Sequence, residues 1–194
     1  VHVLDEKTLL WRQRAFGYTL EDLKIILEPM AANGEEAIGS MGADNPLAVL
    51  SYRPQPLFNY FKQLFAQVTN PPVDAIREEV IMAEDVMLGA EQNLLDETPL
   101  HCHRLRLKHP VVTNEELEKI RHVRQGNLKA AALETFFKAK AGAAGLEGAL
   151  EDLFKEAEKA IEKGFTILIL SDRGVDKNHV PMPSHLACPG LHHQ

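Results

Sequence analysis

The chain has 194 residues and a mass of 21.7 kDa, the size of one globular domain or of one domain with a small second one. Hydrophobic residues make up 45% and charged residues 25% of the sequence, and this ordinary balance excludes a chain that is disordered throughout. Acidic residues outnumber basic ones by 28 to 21, so the net charge of −7 argues against nucleic acid or an anionic membrane as the main partner.

Cysteine content and apolar run length bear on the compartment. Two cysteines, Cys102 and Cys188, are too few for a disulfide framework and favour a reducing environment. The longest apolar run, residues 165–170, is too short to span a bilayer, and the first residues do not resemble a signal peptide. We therefore expect a soluble protein of the cytoplasm, with neither membrane nor nucleic acid as a partner.

The N-terminal third predicts helices separated by glycine and proline. Thr19 is expected to cap a helix that bends or ends near Pro29. A short strand is predicted over residues 46–50. Prolines then open a helix predicted over residues 57–68, whose broad aromatic face must be covered by other residues. Residues 69–72 are expected to end it, because two prolines cannot continue a helix.

The middle of the chain predicts two capped helices with an irregular segment between them. Asp74 is expected to cap a helix that ends at Gly89. Residues 93–110 show no regular period and predict irregular structure. Thr113 and Glu116 have the spacing of a capping box, so a further helix is expected to begin there.

The last third carries the clearest pattern. A strand is predicted over residues 132–137, followed by a mobile loop in an alanine- and glycine-rich stretch. Residues 150–161 have the period of an amphipathic helix, Gly164 is suited to end it, and residues 165–170 read as a strand buried on both faces of a parallel sheet. The predicted fold class is α/β, with a helical N-terminal part followed by a partial, incomplete parallel (β/α) unit.

Polar side chains follow that last strand directly. Asp172, Arg173 and Asp176 lie just after its carboxyl end, where α/β folds bind ligands. Asp172 could orient a hydroxyl or amine of a substrate, and Arg173 could bind a phosphate or carboxylate. The alternative is structural, because such side chains also brace loops through hydrogen bonds to the backbone or through an ion pair.

Other candidate motifs are weak. The glycines between residues 34 and 42 could hold a phosphate but lack the ending of a phosphate-binding loop, so they are interpreted as permitting a positive φ or close backbone packing. His185 and Cys188 have a spacing that permits metal chelation, and His101, Cys102 and His103 form a second patch of possible ligand types. Neither patch has paired Cys-x-x-Cys spacing, so both are interpreted as surface groups. The sequence contains no recognisable nucleophile motif, and we predict no catalytic residue and no metal site.

Several segments in order along the chain resemble one family, the large chain of glutamate synthase, in its central domain. The most specific are YFKQLFAQVTNPPVD over residues 60–74 and ILSDRGVD over residues 169–176. Further matching segments are residues 11–19, 35–42, 46–51, 76–79 and 181–184. The resemblance extends from about residue 9 to residue 187.

The resemblance implies a role within a larger oxidoreductase. In that family an amidotransferase domain releases ammonia from glutamine, and a later barrel holds FMN and an iron–sulfur cluster and makes glutamate. The central domain links the two, carries no catalytic group or cofactor, and forms part of the wall of an internal ammonia channel. These two domains would be the partners of this segment, in the cytoplasm or in a plastid.

By the same resemblance Met41, Thr69 and Asn70 match positions near the channel entrance. A physical reason supports such a passage: ammonia in neutral water is mostly protonated and loses its nucleophilicity, whereas a largely dry passage preserves the reactive form. A thioether and small polar groups can line it without holding the ammonia.

The end of the chain departs from the family pattern. Residues 1–187 are expected to form a truncated central-type domain, and residues 188–194 a tail outside the family, because Pro189 and Gly190 should break the helix expected there. The alternative function is a free-standing α/β protein that binds a small ligand through Asp172, Arg173 and Asp176.

Overall fold

The computed structural model describes residues 4–35, 48–52, 55–61, 65, 67–68 and 71–194. The chain divides into two compact units, one of residues 2–72 and a larger one of residues 73–194 together with residue 1. None of the helices in the described ranges is both long enough and apolar enough to cross a membrane.

The smaller unit begins with two capped helical segments. Helix α1 (Glu6–Ala15) begins after Asp5, whose side chain accepts the Thr8 N–H at 3.0 Å. The second segment begins after Thr19: its hydroxyl accepts the Asp22 N–H at 3.1 Å, and its own N–H donates to the Asp22 carboxylate at 2.7 Å. The predicted cap at Thr19 is confirmed, because Asp22 completes a reciprocal pair there.

The prediction that this helix bends or ends near Pro29 is wrong in part, because it continues to Asn33. A π-helical stretch (Asp22–Leu27) leads directly into helix α2 (Glu28–Asn33), and the Glu28 N–H bonds to the Leu23 carbonyl five residues back. Pro29 therefore falls in the first turn of α2, where its missing N–H breaks no hydrogen bond within that helix.

Two predictions over residues 46–68 are wrong in their described parts. Residues 48–50 form a turn, not a strand, with the Ser51 N–H donating to the Ala48 carbonyl at 2.9 Å. Of the helix predicted over 57–68, the described residues Leu57–Phe61 form a 3₁₀ helix, and residues 65, 67 and 68 are not helical. Helices gain most of their stability from a buried apolar face, and Phe58 and Phe61 are exposed here.

The larger unit opens with helix α3 (Ala75–Ile81), which begins after Asp74 as predicted. Its predicted end at Gly89 is wrong, because strand β1 (Val86–Leu88) pairs antiparallel with strand β2 (Leu105–Leu107). The segment expected to be irregular thus contains β2, and also a 3₁₀ turn at Pro99–Cys102. Cross-strand pairing of this kind is not visible in local spacing.

Helix α4 (Asn114–Arg121) begins with the predicted capping box. The Thr113 N–H donates to the Glu116 carboxylate at 2.7 Å, and the Glu116 N–H donates to the Thr113 hydroxyl at 3.2 Å. A short antiparallel pair follows, made by strand β3 (Arg124–Gln125) and the start of the next strand.

The centre of the unit is a β-α-β arrangement. Strand β4 (Leu128–Glu134) and strand β6 (Ile167–Ser171) are parallel neighbours, with Ala132 opposite Ile169. Helix α5 (Gly142–Glu162) connects them and is followed by Gly164, whose φ of 78° requires the left-handed conformation that glycine adopts readily. The predicted parallel α/β unit is confirmed.

Three further elements surround this unit. Strand β5 (Phe136–Lys138) pairs antiparallel with strand β7 (His179–Pro181), and helix α6 (Ser184–His193) ends the chain and packs on α5. The sheet that contains the parallel pair has the order β3-β4-β6.

Two predictions about this region are corrected. The strand expected over 132–137 is two strands, and the expected mobile loop is the beginning of α5, where alanines favour helix and Leu146 packs on the core. Helix α6 is not broken by Pro189. At Gly190 the backbone lies so close to Phe154 that an added Cβ would be 2.8 Å from the ring, so packing on α5 holds this segment helical.

The core of the larger unit consists of two clusters. One contains Leu133, Leu153, Ala157, Met182 and Ala187, and the other contains Ile120, Leu128, Ala130 and Ile167. Successive residues of β6 alternate between them, with Leu168 packed against the first cluster and Ile169 against the second. The apolar run therefore contributes to both faces, as predicted.

Replacing Leu153 by alanine tests the first cluster. The Leu153 side chain is 2% exposed, so its truncation should lower the free energy of unfolding by about 2–5 kcal/mol in urea titrations. Ile161→Ala in the same helix is the matched control, because Ile161 is 60% exposed and its loss should change stability by about 0.5 kcal/mol or less. Equal effects of the two substitutions would contradict the assigned packing of α5.

Candidate functional site

The polar loop of residues 172–178 connects β6 to β7 at the carboxyl end of the parallel pair. Thr135, the buried residue that follows β4, ties this end together. Its N–H donates to the Ser171 carbonyl at 2.9 Å, and its carbonyl accepts the Met182 N–H at 2.9 Å. The loop thus begins and ends on a fixed frame, in the place where α/β folds bind ligands.

Asp176 organises the second half of the loop. One of its carboxylate oxygens accepts the N–H groups of Asn178 at 2.7 Å and His179 at 2.8 Å, and it also lies 2.9 Å from the His179 ring Nδ1. The backbone N–H of Asn178 is the main cause that lowers the pKa of Asp176, and the hydrogen bonds from His179 add to it. The His179 ring in turn meets Phe136 edge-on, with centroids 5.5 Å apart.

Arg173 connects the loop to a distant part of the same unit. Its Nη2 donates to the Asn114 side-chain oxygen at 2.9 Å, and Asn114 is the first residue of α4. The backbone carbonyl of Asp172 accepts the Val175 N–H at 3.1 Å, which closes a turn. Val175 itself is buried, so the turn is anchored in the core.

The structure thus brings Asp172, Arg173 and Asp176 into one loop, as the sequence predicts. Asp176 and Arg173 make hydrogen bonds within the protein, as the bracing alternative describes. A ligand at this loop would have to compete with those bonds. Ligand binding here stays a prediction.

Sequence reasoning missed three residues that shape the loop: Gly174 lies within it, and Phe136 and Thr135 contact it from outside or tie its ends. A Cβ at Gly174 would overlap the ring of Phe136, so the glycine permits a close approach of the loop to β5. The only sequence signal is a glycine inside a polar loop, and that signal does not identify the aromatic partner. No pattern in the sequence indicates the role of Thr135, because its burial depends on pairing between distant strands.

The predicted channel residues Met41, Thr69 and Asn70 lie outside the described residues. Both cysteines, Cys102 and Cys188, are free and exposed. Within the ranges that the structure describes, no group of three or more His, Cys, Asp or Glu side chains is arranged to hold a metal ion.

A second feature of functional interest is exposed apolar surface. Among the described residues, the first buried one along the chain is Ile120. Many large apolar side chains before it are exposed: Leu20, Leu50, Tyr52, Phe58, Phe61, Phe65, Val68, Ile76, Val80, Leu94, Leu95 and Val111. So much exposed apolar surface is typical of a protein that contacts another surface.

Asp176 predicts a pH dependence of stability. Because its pKa lies below the ordinary value of 3.8, the ionised carboxylate stabilises the folded state above that pH. The contribution is lost as the pH falls through the lowered pKa. Asp176→Asn should therefore reduce stability at pH 5–7, and its difference from the parent chain should shrink toward zero in more acidic solution. Urea titrations across pH 2–7 measure this difference, and a constant one would contradict the assignment.

Gly174→Ala tests the close approach of loop and strand. The new methyl group must displace the Phe136 ring, which contacts His179, so the free energy of unfolding should fall by about 1–3 kcal/mol. Gly148→Ala is the control: nothing lies within 4 Å of its Cβ position in α5, and alanine there should add about 0.5–1 kcal/mol. Thermal or urea unfolding distinguishes the two signs, and a stabilising Gly174→Ala would show that the loop is loose.

Comparison with known proteins agrees with the resemblance seen in the sequence. The profile of the family described as the glutamate synthase central domain matches residues 11–194. The chain is 46% identical over 184 residues to the large chain of NADPH glutamate synthase from Bacillus subtilis, an alignment that covers 95% of this chain and 12% of the relative.

Two more relatives represent other kinds of the enzyme. The NADH glutamate synthase of Schizosaccharomyces pombe is 43% identical over 196 residues, covering 100% of this chain and 9% of the relative. Ferredoxin-dependent glutamate synthase 2 of Synechocystis is 40% identical over 193 residues, covering 97% and 12%. The chain thus spans about a tenth of the length of these relatives, and it belongs to the glutamate synthase central domain family.

Proposed function

We propose that this chain acts as the central segment of a glutamate synthase, between a glutamine amidotransferase domain and a synthase domain that holds FMN and an iron–sulfur cluster. In this role it contributes no catalytic group or cofactor and forms part of the wall of the ammonia passage. Family membership supports the proposal, as does the length of the relatives, because about nine-tenths of each lies outside the matched segment. The enzyme would work in the cytoplasm or in a plastid.

The observation that carries the proposal is the exposed apolar surface of residues 4–119 in the described ranges. Exposed apolar side chains cost free energy in water, at about 25 cal/mol for each Å² that a neighbour could cover. A segment that lies between two larger domains would have such surface covered on more than one side. Such side chains occur in both units, from Leu20 to Val111.

The braced loop after β6 fits the same role. Its side chains bond to the backbone and to α4, which fixes the shape of this end of the unit.

A passage for ammonia needs fixed, largely dry walls, because water would protonate the ammonia and remove its nucleophilicity. We assign this lining to Met41, Thr69 and Asn70, whose thioether, hydroxyl and amide groups carry no charge to hold the ammonia.

Thr69→Trp in the full-length enzyme tests the passage. A bulky ring at this position should obstruct transfer while glutamine hydrolysis continues. We expect the ratio of 2-oxoglutarate converted to glutamine hydrolysed to fall about tenfold. Glutamine hydrolysis by itself also releases one glutamate, so conversion of 2-oxoglutarate is the quantity that reports the transfer. Glutamate synthesis from added ammonia should remain unchanged, and the released ammonia should account for the missing product.

Two control variants define the outcome. Thr69→Ser keeps a small hydroxyl and should preserve the ratio. Glu151→Trp places the same ring on the exposed polar face of α5 and should also preserve it. An unchanged ratio in Thr69→Trp, with both activities intact, would remove Thr69 from the passage.

A further inference from the structure

The connection between β1 and β2 carries two exposed leucines at its tip. Leu94 and Leu95 are the central residues of a turn in which the Asp96 N–H donates to the Asn93 carbonyl at 3.0 Å. Their side chains are 84% and 90% exposed, among the most exposed apolar groups described. Leucine at both central positions of a turn is unexpected for a turn that faces water, where small polar residues dominate.

The turn is held in place by hydrogen bonds rather than by burial. The Asn93 side chain accepts the Leu95 N–H at 3.1 Å and donates to the Asp96 carboxylate at 2.9 Å. The His101 ring Nε2 lies 2.7 Å from the Asp96 carbonyl, and an ion pair of 3.4 Å between Arg104 and Glu91 lies farther along the connection. The two leucines are thus presented in a fixed geometry, which lowers the entropy cost of docking.

We propose that the Leu94–Leu95 turn docks into an apolar pocket with a basic rim, in the part of the same glutamate synthase polypeptide that lies outside residues 1–194. The inference rests on the proposed function. The matched segment is only 9–12% of the length of its relatives, so most of such a polypeptide is available to supply the pocket.

Charge around the turn defines the rim of that pocket. Asp96 and Glu97 flank the leucines and are exposed, whereas the charge of Glu91 is paired with Arg104. Lysine or arginine side chains at the edge of the pocket would complement these carboxylates and select the orientation of docking. A second copy carries the same two carboxylates beside its own turn, so contact between the two turns would bring like charges together.

Photocrosslinking in the full-length enzyme tests the docking. Leu94 is replaced by the photoreactive residue p-benzoylphenylalanine, and crosslinked peptides are identified by mass spectrometry. We expect crosslinks within one polypeptide to residues outside 1–194, beside lysine or arginine. The same probe at Glu151, on the polar face of α5, is the matched control and should give at least tenfold fewer such crosslinks.

Other outcomes would overturn the proposal. Crosslinks from position 94 only to residues within 1–194, only to a second copy, or only to a separate protein would each exclude the stated occupant. A yield equal to that of the Glu151 probe would do the same. This result is independent of the coupling ratio measured for Thr69→Trp. An unchanged ratio there would reject the role of Thr69 in the passage and would not affect the docking proposal. Missing crosslinks would reject docking and would not affect the proposed passage.

Leu94→Ser with Leu95→Ser provides a second measurement that does not depend on the probe. If the turn docks, the double variant should leave the docked state, and cleavage of residues 89–104 by a broad-specificity protease should become at least tenfold faster in the full-length enzyme. Val111→Ser, at a comparably exposed apolar position outside this connection, should leave cleavage of residues 89–104 unchanged. Equal cleavage rates in the double variant and the parent enzyme would contradict docking.

Discussion

The packing of α5 across the parallel pair of β4 and β6 is the interaction on which the larger unit depends. Leu153 and Ala157 bury the inner face of this helix against Leu133, and the same cluster takes in Met182 and Ala187 from the segments that follow β6. A parallel pair cannot form without a long crossover, so the helix and the pairing stabilise each other. This arrangement fixes the position of the loop after β6, because the hydrogen bond from the Thr135 N–H to the Ser171 carbonyl joins the ends of β4 and β6.

Outside that arrangement the chain is organised differently. The elements before Ile120 in the described ranges are short and are held by caps, turns and a two-stranded pair, while their apolar side chains remain exposed. A domain that stands alone buries such groups in its own core. A segment flanked by much more polypeptide need not, and the relatives of this chain are about ten times its length. Leu94 and Leu95 in the β1–β2 connection are a clear example of such exposed apolar groups, because hydrogen bonds order their backbone while their side chains are exposed.

Local signals in the sequence predicted local structure well. The caps at Thr19 and Thr113 were predicted correctly because a cap involves residues only three positions apart. Gly164 after α5 was also predicted correctly, because the left-handed conformation depends on the residue type at a single position. Errors arose where distant residues decide. Strand β1 exists because β2 pairs with it, and α6 continues through Pro189 because Gly190 packs on Phe154. Only part of the candidate loop could be predicted. Its place after β6 follows from the sequence pattern. The hydrogen bond from Arg173 to Asn114 joins residues 59 positions apart, and local spacing does not indicate such a contact.

The electrostatics of the described residues bear on the proposed role. Three carboxyl groups have a lowered pKa: Asp5 through the Thr8 hydroxyl, Glu116 through the Thr113 N–H, and Asp176 through the Asn178 N–H. Each cause is a bond at a cap or turn, which keeps the carboxylate ionised and holds the backbone. A general acid needs the opposite shift, a pKa raised toward neutrality by burial or by a like charge. Asp5 and Glu116 lie at the beginnings of helices, and Asp176 closes a turn in a loop. Such electrostatics suit the fixed shape that we propose as the contribution of this segment.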